Sequence, residues 1–595
     1  MVLETLGRLA QRGEIRFVDY HFARQIAGYA QVEPQCIALA AALLAIELGR
    51  GNVCLDLAAL DKALLLQLSA AGMPAITVDE MRAALQRDTG VCAALDASEA
   101  RPLVLEGSRL YLHRYWLSEQ RVALRLRQLA AQETALDAET GTALERLFED
   151  GTPGAEGQRR ACETALRRGL CVITGGPGTG KTTTVARVLM LLASQAAARG
   201  ERIGIQLAAP TGKAAARVSE ALDRELRRLR AAQLLDERIA ALLPETARTL
   251  HRLLGAGADG RFRHDEHNPL AADVVVLDES SMVDLRLLDA LLRALPRSAR
   301  LILLGDREQL AAVEAGSVFG ALCAVTLQSP VAESIALLTH SYRFDARSGI
   351  GRLAAAVNQG DGLAVEAELQ AGSTDLQCLR HGAHLGPLQH DWLRERYRPL
   401  IEAARAGADA PILLRLLESF RILTPLRDGE FGVAGLNRLI GRLLVDACLI
   451  DADDSWYPGR PVMITRNDHG LQLYNGDVGV VVRGQDDVPR VLFAQPGGGS
   501  RLLPVARLPQ HETAFAMTVH KSQGSEFDTV ALVLPPTSDE VMPSGGRELI
   551  YTAITRARRE LALLLPEGAL DARWLRRGES RSGLAERLHR VAAAP

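Results

Sequence analysis

Lysine is nearly missing from this chain. Of 69 basic residues only Lys62, Lys181, Lys213 and Lys521 are lysines. An ammonium is a compact point charge and a guanidinium a wide planar fork, so a site that needs the former resists replacement by arginine. A strong net charge is missing as well. The 69 basic and 72 acidic residues leave −3, which argues against a uniformly basic coat for nucleic acid but not against a local basic channel. The eight cysteines (Cys36, Cys54, Cys92, Cys162, Cys171, Cys323, Cys378, Cys448) include no C-x-x-C pair and read as scattered thiols of a reducing compartment. Residues 1–16 carry acidic side chains and no long apolar core, unlike a secretory signal. The apolar run 37–48 contains Glu47 and is too short to span a bilayer. A cytoplasmic, soluble protein without a membrane partner is expected. No N-K-x-D guanine-reading motif and no L-S-G-G-Q transporter signature occurs, which disfavours GTPases and transporter ATPases, and no short-period repeat is present.

What is present begins with hydrophobic residues at 48% over 595 positions, enough for about three to five folded domains. The stretch LCVITGGPGTGKTTT at 170–184 joins a short apolar run, a glycine loop and the start of a helix. That order is the context a P-loop requires. Gly175, Gly176, Pro177, Gly178, Thr179, Gly180, Lys181 and Thr182 fit G-x-x-x-x-G-K-[ST], with Thr183 following. Glycines let backbone N–H groups close around a phosphate, and the helix N-terminus adds a favourable dipole. Lys181 is expected at the β- and γ-phosphates of ATP, and the Thr182 hydroxyl on Mg²⁺.

The rest of the chain is organised around that loop. Residues 1–125 are mostly helical in pattern (36–48 and 57–68, with a short strand pair near 103–112) and read as a docking domain. A charged helix at 118–149 leads into a Gly/Pro loop at 151–157, and Gln158 opens the next helix. Between 126 and 337, apolar runs at 170–174, 203–208, 274–277 and 301–304 alternate with helices, which indicates a parallel sheet covered on both faces. Residues 338–595 repeat this α/β pattern, interrupted at about 456–510 by short strands and glycine turns expected to form a small β-barrel. The fold class expected is α/β, with two parallel-sheet motor cores, a small β-barrel insertion and a mainly helical N-terminal domain.

Two further strands end in polar residues. VVVLDESS places Asp278 where it can hold magnesium and Glu279 where it can polarise water attacking a γ-phosphate. LILLGDREQ offers Gln309 to the γ-phosphate or that water, while Asp306 is a site residue or only a turn former.

This set resembles superfamily-one DNA helicases, in the RecD branch that holds the alpha subunit of exodeoxyribonuclease V. The matching stretches run in order over about 155–565: GGPGTGKTTT, APTGKAAAR, TARTLHRLLG, VVLDESSMVD, LLGDREQL, LTHSYRF, AFAMTVHKSQGSEF and LIYTAITRARR. The resemblance implies two RecA-like cores and 5′-to-3′ movement on single-stranded DNA from duplex ends. It also implies RecB-like helicase–nuclease and RecC-like partners in double-strand-break repair. It places Gln158 at the adenine edge, Tyr342 on the base, and Arg343 and Arg556 as arginine fingers. Gln523 and Glu526 would link the DNA track to the nucleotide. Thr211, His251, Thr518, His520 and Ser522 fall where the family touches DNA; Lys213 and Lys521 add phosphate charge or close the turns of their motifs. Residues 255–268 lie where relatives carry a strand-separating hairpin. The N-terminal part lacks the Gly-rich hairpin repeats of longer stand-alone members and is similar in length and character to the docking subunit.

A nuclease centre in this chain is disfavoured. A common metal-dependent type needs [DE]-x-K, but two positions before the lysines stand Leu60, Thr179, Thr211 and Val519. Cleavage is therefore expected from a partner. The remaining rival is a nucleotide-switched DNA clamp or scaffold, which would need ATP contacts but neither arginine fingers nor a pin.

Overall fold

The computed structural model describes residues 1–60, 68–70, 72–93, 100–149, 151–257, 259–311, 314–326, 329–345, 347–468, 470–484, 486–495, 499–536, 545–578 and 580–589. Lys62 lies outside them. Among the described residues no helix is long and apolar enough to cross a membrane.

Three helices open the chain, Val2–Gln11, Phe17–Tyr29 and Pro34–Gly49. The third starts on Pro34 and is apolar all round, so it is buried all round: every residue from Ile37 to Ala45 is buried. Strands β1 (Cys54–Asp56), β2 (Cys92–Ala93), β3 (Leu103–Glu106) and β4 (Arg109–Leu112) form a sheet in the order β1-β4-β3-β2. The expected strand pair is β3–β4; β1 and β2 widen it. Of the helix expected at 57–68, Leu57–Ala59 instead form a 3-10 turn capped by Asp56, and residues 61–67 lie outside the described residues.

The single helix expected at 118–149 is two, His113–Ala131 and Ala138–Arg146. The break has a tertiary cause. Glu133 bridges Arg168, the Thr134 N–H donates to the Arg167 carbonyl at 2.7 Å, and Asp137 then caps the second helix by accepting from the Thr140 N–H at 2.7 Å.

Strands β5 (Leu170–Gly175), β6 (Ile205–Ala209), β7 (Arg248–Thr249), β8 (Val274–Leu277), β9 (Arg300–Gly305) and β10 (Ile335–Leu338) make a six-stranded sheet. It is parallel throughout, in the order β10-β5-β9-β8-β6-β7. Successive side chains feed two cores. Val172, Val275 and Leu303 face the cluster shared with helix His113–Ala131, and Ile173, Val276 and Ile302 face helices Ala155–Arg167 and Lys181–Ala198.

A second parallel sheet begins with β11 (Leu376–His381) and β12 (Phe420–Thr424). The chain then makes β13 (Pro461–Ile464), β14 (Val478–Arg483), β15 (Pro489–Ala494), β16 (Ser500–Pro504) and β17 (His511–Thr513). It returns with β18 (Ala516–Thr518), β19 (Phe527–Val533) and β20 (Ala557–Pro566), giving the order β11-β20-β19-β12-β18. The insertion is antiparallel, β16-β15-β14-β13-β17, around Val462, Ile464, Val481, Val491 and Phe493. Among the described residues it has five strands, and no pairing between its end strands β16 and β17 is seen.

After Trp574, buried in the second core, the chain crosses back to the N-terminal region. Helix Leu584–His589 lies on helix His113–Ala131, and Arg587 is 3% exposed between Glu119 (Nε–Oε2 3.2 Å) and Glu106. Glu119 is fully buried, so removing its partner leaves a buried charge uncompensated. Arg587→Ala is expected to cost ~3–5 kcal/mol of stability, read as a lowered urea midpoint; an unchanged midpoint would mean that the carboxylates are hydrated.

Candidate active site

The carboxyl ends of β5, β8 and β9 open into a cleft of about 690 Å³ whose opposite wall comes from the second parallel sheet. This is the crevice where open α/β sheets bind ligands. Core-one residues lining it include Gln158, Pro177, Gly178, Thr179, Gly180, Lys181, Thr182, Thr183, Asp278, Glu279 and Gln309. Glu526 and Arg556, at the starts of β19 and β20, line the other wall, and Arg343, in the loop after β10 of the first sheet, reaches between them.

The loop after β5 turns through Gly178 at φ +74°, and Gly180 caps helix Lys181–Ala198. A Cβ on Gly178 would stand 2.4 Å from the Arg343 Cβ, so the close approach of the loop after β10 requires glycine there. The Tyr342 N–H donates to the Gly178 carbonyl at 2.8 Å and the Ser341 hydroxyl to the Pro177 carbonyl at 3.2 Å. Lys181 Nζ donates to the carbonyls of Gly175 (2.7 Å) and Gly176 (3.1 Å), and the Thr179 hydroxyl donates to Gly176 at 2.8 Å.

Asp278 and Glu279 leave β8 together. The Asp278 carboxylate accepts from the Glu279 N–H at 2.8 Å. Burial and then the neighbouring Glu279 charge push the Asp278 carboxyl above its usual range, against the pull of Lys181. Such a carboxylate favours a cation beside it. Glu279 sits at φ +49°, a left-handed conformation costing ~1–3 kcal/mol in a non-glycine residue and typical of functional sites. Asp306 is more than a turn former. It is 3% exposed and accepts from Gln309 Nε2 and the Tyr551 hydroxyl, each at 3.1 Å, and from the Glu308 N–H at 3.0 Å. Burial pushes its carboxyl up, and Lys181 opposes.

Across the cleft, Arg343 Nη2 lies 2.7 Å from Glu526 Oε1, and Arg558 Nε lies 3.3 Å from Glu526 Oε2. Burial pushes the Glu526 carboxyl up, but Arg343, Arg217 and Arg556 outweigh it and hold it at about 2. Arg556 is 3% exposed and donates to the Thr552 (3.1 Å) and Ser525 (3.2 Å) carbonyls. At the outer end Gln158 accepts from Arg187 at 3.1 Å. Tyr342 is half exposed, its hydroxyl donating to the Pro153 carbonyl at 2.8 Å. The two walls also join deeper down, where Gln523 Nε2 donates to the Leu310 carbonyl (3.1 Å) and the Leu310 N–H to the Thr552 hydroxyl (2.9 Å).

The sequence reading missed Arg217 and Arg558, which also line the cleft. Arg558 lies two residues beyond Arg556 on β20, and Arg217 ends the APTGKAAAR stretch.

The expected DNA contacts divide. Thr211 caps helix Gly212–Ala231, accepting from the Ala214 N–H at 3.2 Å, and His251 is exposed. Burial, then Arg217 and Arg421, bring the Lys213 ammonium down to about 8 against Asp477 and Glu418. Lys521 pairs with Glu512 at 2.8 Å, and burial lowers the His520 imidazole. Thr518 and Ser522 serve their own turn: Thr518 accepts from the Lys521 N–H at 3.3 Å, and the fully buried Ser522 donates to the Val519 carbonyl at 2.7 Å. Residues 255–268 hold a short hairpin bridge, Ala256 with Phe262.

A glycine loop and paired carboxylates on one parallel sheet, faced by arginines from a second, define a P-loop nucleotide motor of the two-core helicase class. Residues 158–315 match the AAA domain family, 513–564 the UvrD-like helicase C-terminal domain, and 11–111 the family described as RecBCD enzyme subunit RecD, N-terminal domain. The chain is 40% identical over 589 residues to the RecBCD enzyme subunit RecD of Mycobacterium tuberculosis, covering 97% of this chain and 96% of that one. The chain belongs to the RecD family. It is also 31% identical over 458 residues to the ATP-dependent RecD2 DNA helicase of Deinococcus radiodurans, covering 76% of this chain but 54% of that one. A solved Bacteroides Pif1 bound to single-stranded DNA aligns at TM-score 0.37 and 17% identity, over 74% of this chain and 94% of that one.

Proposed function

We infer that this chain is an ATP-dependent DNA helicase acting as the RecD subunit of a RecBCD complex. The observation that carries the reading is the two-walled cleft, with Lys181, Asp278, Glu279 and Gln309 on one side, Glu526 and Arg556 on the other, and Arg343 reaching between them from the loop after β10. Thr182 and Asp278 would hold Mg²⁺, which supplies charge neutralisation at the β- and γ-phosphates. Gln158 and Tyr342 flank the adenine end. Lys181 exchanges loop carbonyls for phosphate oxygens, Glu279 orients and deprotonates the attacking water, and Gln309 reports the γ-phosphate to Asp306 and Tyr551. Arg343 and Arg556 stabilise transition-state charge only when the walls close, which ties hydrolysis to domain motion.

Single-stranded DNA would cross both cores on a track using Thr211, Lys213, His251 and the 518–522 turn, moving 5′ to 3′, with the 255–268 hairpin splitting the duplex. RecB-like and RecC-like partners would dock through residues 1–125 and supply the nuclease, in the cytoplasm. The match of residues 11–111 to the RecD N-terminal family favours a subunit over a stand-alone helicase.

Strand displacement by the purified chain on duplexes with a 5′ or a 3′ single-stranded tail tests the motor, with Lys181→Gln as control. ATP-dependent unwinding from the 5′ tail alone is expected. Unwinding from the 3′ tail overturns the polarity. Hydrolysis without displacement makes unwinding dependent on partners, and a well-folded chain that hydrolyses nothing is a scaffold.

A further inference from the structure

The turn from Tyr474 to Asp477 belongs to the antiparallel insertion, yet its contacts are on the first core. Tyr474 Oη accepts from Arg252 Nη1 at 3.0 Å, and the guanidinium carbon lies 5.8 Å from the ring centroid. The ring packs against the backbone of Gly212. A Cβ there would stand 2.6 Å from the ring Cγ, so any other residue would lift the tyrosine away. Two hydrogen bonds close the turn: the Tyr474 N–H donates to Asp477 Oδ2 at 2.8 Å, and the Asp477 N–H to the Tyr474 carbonyl at 3.0 Å. Tyr474 takes no part in the insertion's own core, whereas its neighbours Leu471 and Leu473 do.

The location gives this contact its meaning. Gly212 stands between Thr211 and Lys213, and Arg252 directly follows His251. The half-buried ring of Tyr474 is therefore placed among three residues of the expected DNA track, in a chain with few aromatics (4%) to offer a base. Phosphate contacts hold a strand in register, but stacking on an aromatic face holds it without reading sequence, worth ~1–3 kcal/mol per base. Arginine beside the ring supplies both a phosphate partner and cation–π support.

We propose that Tyr474 is a nucleobase-stacking residue of the DNA track, and that its pairing with Arg252 is the closed form of a gate that single-stranded DNA opens. The inference rests on the assignment of Thr211, Lys213 and His251 to that track. When a strand enters, the Arg252 guanidinium turns from the tyrosine hydroxyl to a phosphate, and the ring meets a base. The insertion then becomes a third wall of the track, and the strand is held by both cores and by the insertion between them.

The test is equilibrium binding of fluorescent oligo-dT to the full chain, with and without a single abasic site moved along the strand. For wild type, one abasic position is expected to weaken binding by about tenfold, within the range of one stacked base. Tyr474→Ala should weaken intact oligo-dT by about the same factor and abolish the penalty at that position. Tyr474→Phe keeps the ring and loses only the hydroxyl bond to Arg252, so it should bind intact strand as tightly as wild type or tighter. If Phe and Ala weaken binding equally, or if the abasic penalty survives in Tyr474→Ala, Tyr474 is a structural latch and the proposal fails. Lys213→Ala separates this from the track itself: weakened binding there with a silent Tyr474→Ala rejects only the stacking role. Two silent variants reject the track assignment, and the stacking role with it.

Discussion

Arg343→Ala is expected to lower DNA-stimulated ATP hydrolysis by about 10³-fold or more, the scale at which an arginine finger acts on phosphoryl transfer. The residue lies in the loop after β10, with its backbone against Gly178 and its guanidinium reaching across to Glu526 at 2.7 Å. Glu526 thus holds the finger within the cleft, and phosphate must compete with a carboxylate kept ionised by Arg343, Arg217 and Arg556. Fold loss is not the expected cause of the defect. Both partners of the pair keep 22% side-chain exposure, and Glu526 has a second partner in Arg558 at 3.3 Å. Arg343→Lys should not restore the rate, because a point charge cannot reproduce the planar fork. Steady-state turnover with saturating oligo-dT, alongside binding of a fluorescent ATP analogue, reads the effect. A fall in kcat with nucleotide affinity within a few fold is the expected pattern. A rate within tenfold of wild type would remove Arg343 from the transition state and leave it as a structural tie.

The same pair shows why some of this site was legible in the sequence and some was not. The P-loop, the Asp278–Glu279 step and the Leu301–Leu304 run sit on buried parallel strands whose apolar stretches stand out, and β8 occupies the expected 274–277. Local chemistry sets those elements. The helix break after Ala131 depends on Arg167 and Arg168, more than 30 residues on, so no local periodicity carries it. Strands β1 and β2, with three and two residues, are too short to show alternation. Whether the insertion's sheet closes depends on how its end strands meet, which turn chemistry does not encode. Ser522 lies in a stretch matched to DNA contacts, yet its hydroxyl is buried on Val519, because a motif match fixes position and not side-chain direction. Tyr474 was missed for the opposite reason, having no motif around it and a partner 222 residues away.

Glu279→Gln is expected to lower hydrolysis by about 10²- to 10⁴-fold, the contribution of a positioned general base, while leaving ATP bound. Gln is isosteric and tolerates the left-handed backbone at φ +49° no worse than Glu, so the loop geometry should survive. It also removes the negative charge that burdens Asp278, whose carboxyl should then ionise more readily. Nucleotide affinity should therefore be kept or raised, and the cleft should dwell in its closed, ATP-bound form. Asp278→Asn separates the two carboxylates, since it removes the carboxylate proposed to hold the cation and should weaken ATP binding itself. Single-turnover hydrolysis and nucleotide release, measured on the same protein, distinguish these outcomes. A Glu279→Gln chain that binds ATP and hydrolyses it at more than a third of the wild-type rate would show that the water is activated elsewhere, with Gln309 beside Asp306 the nearest alternative in the cleft. A chain that loses ATP affinity would place Glu279 with Asp278 on the cation instead. In the first case the strained Glu279 backbone would be serving the loop that carries Ser280–Met282 rather than the chemistry.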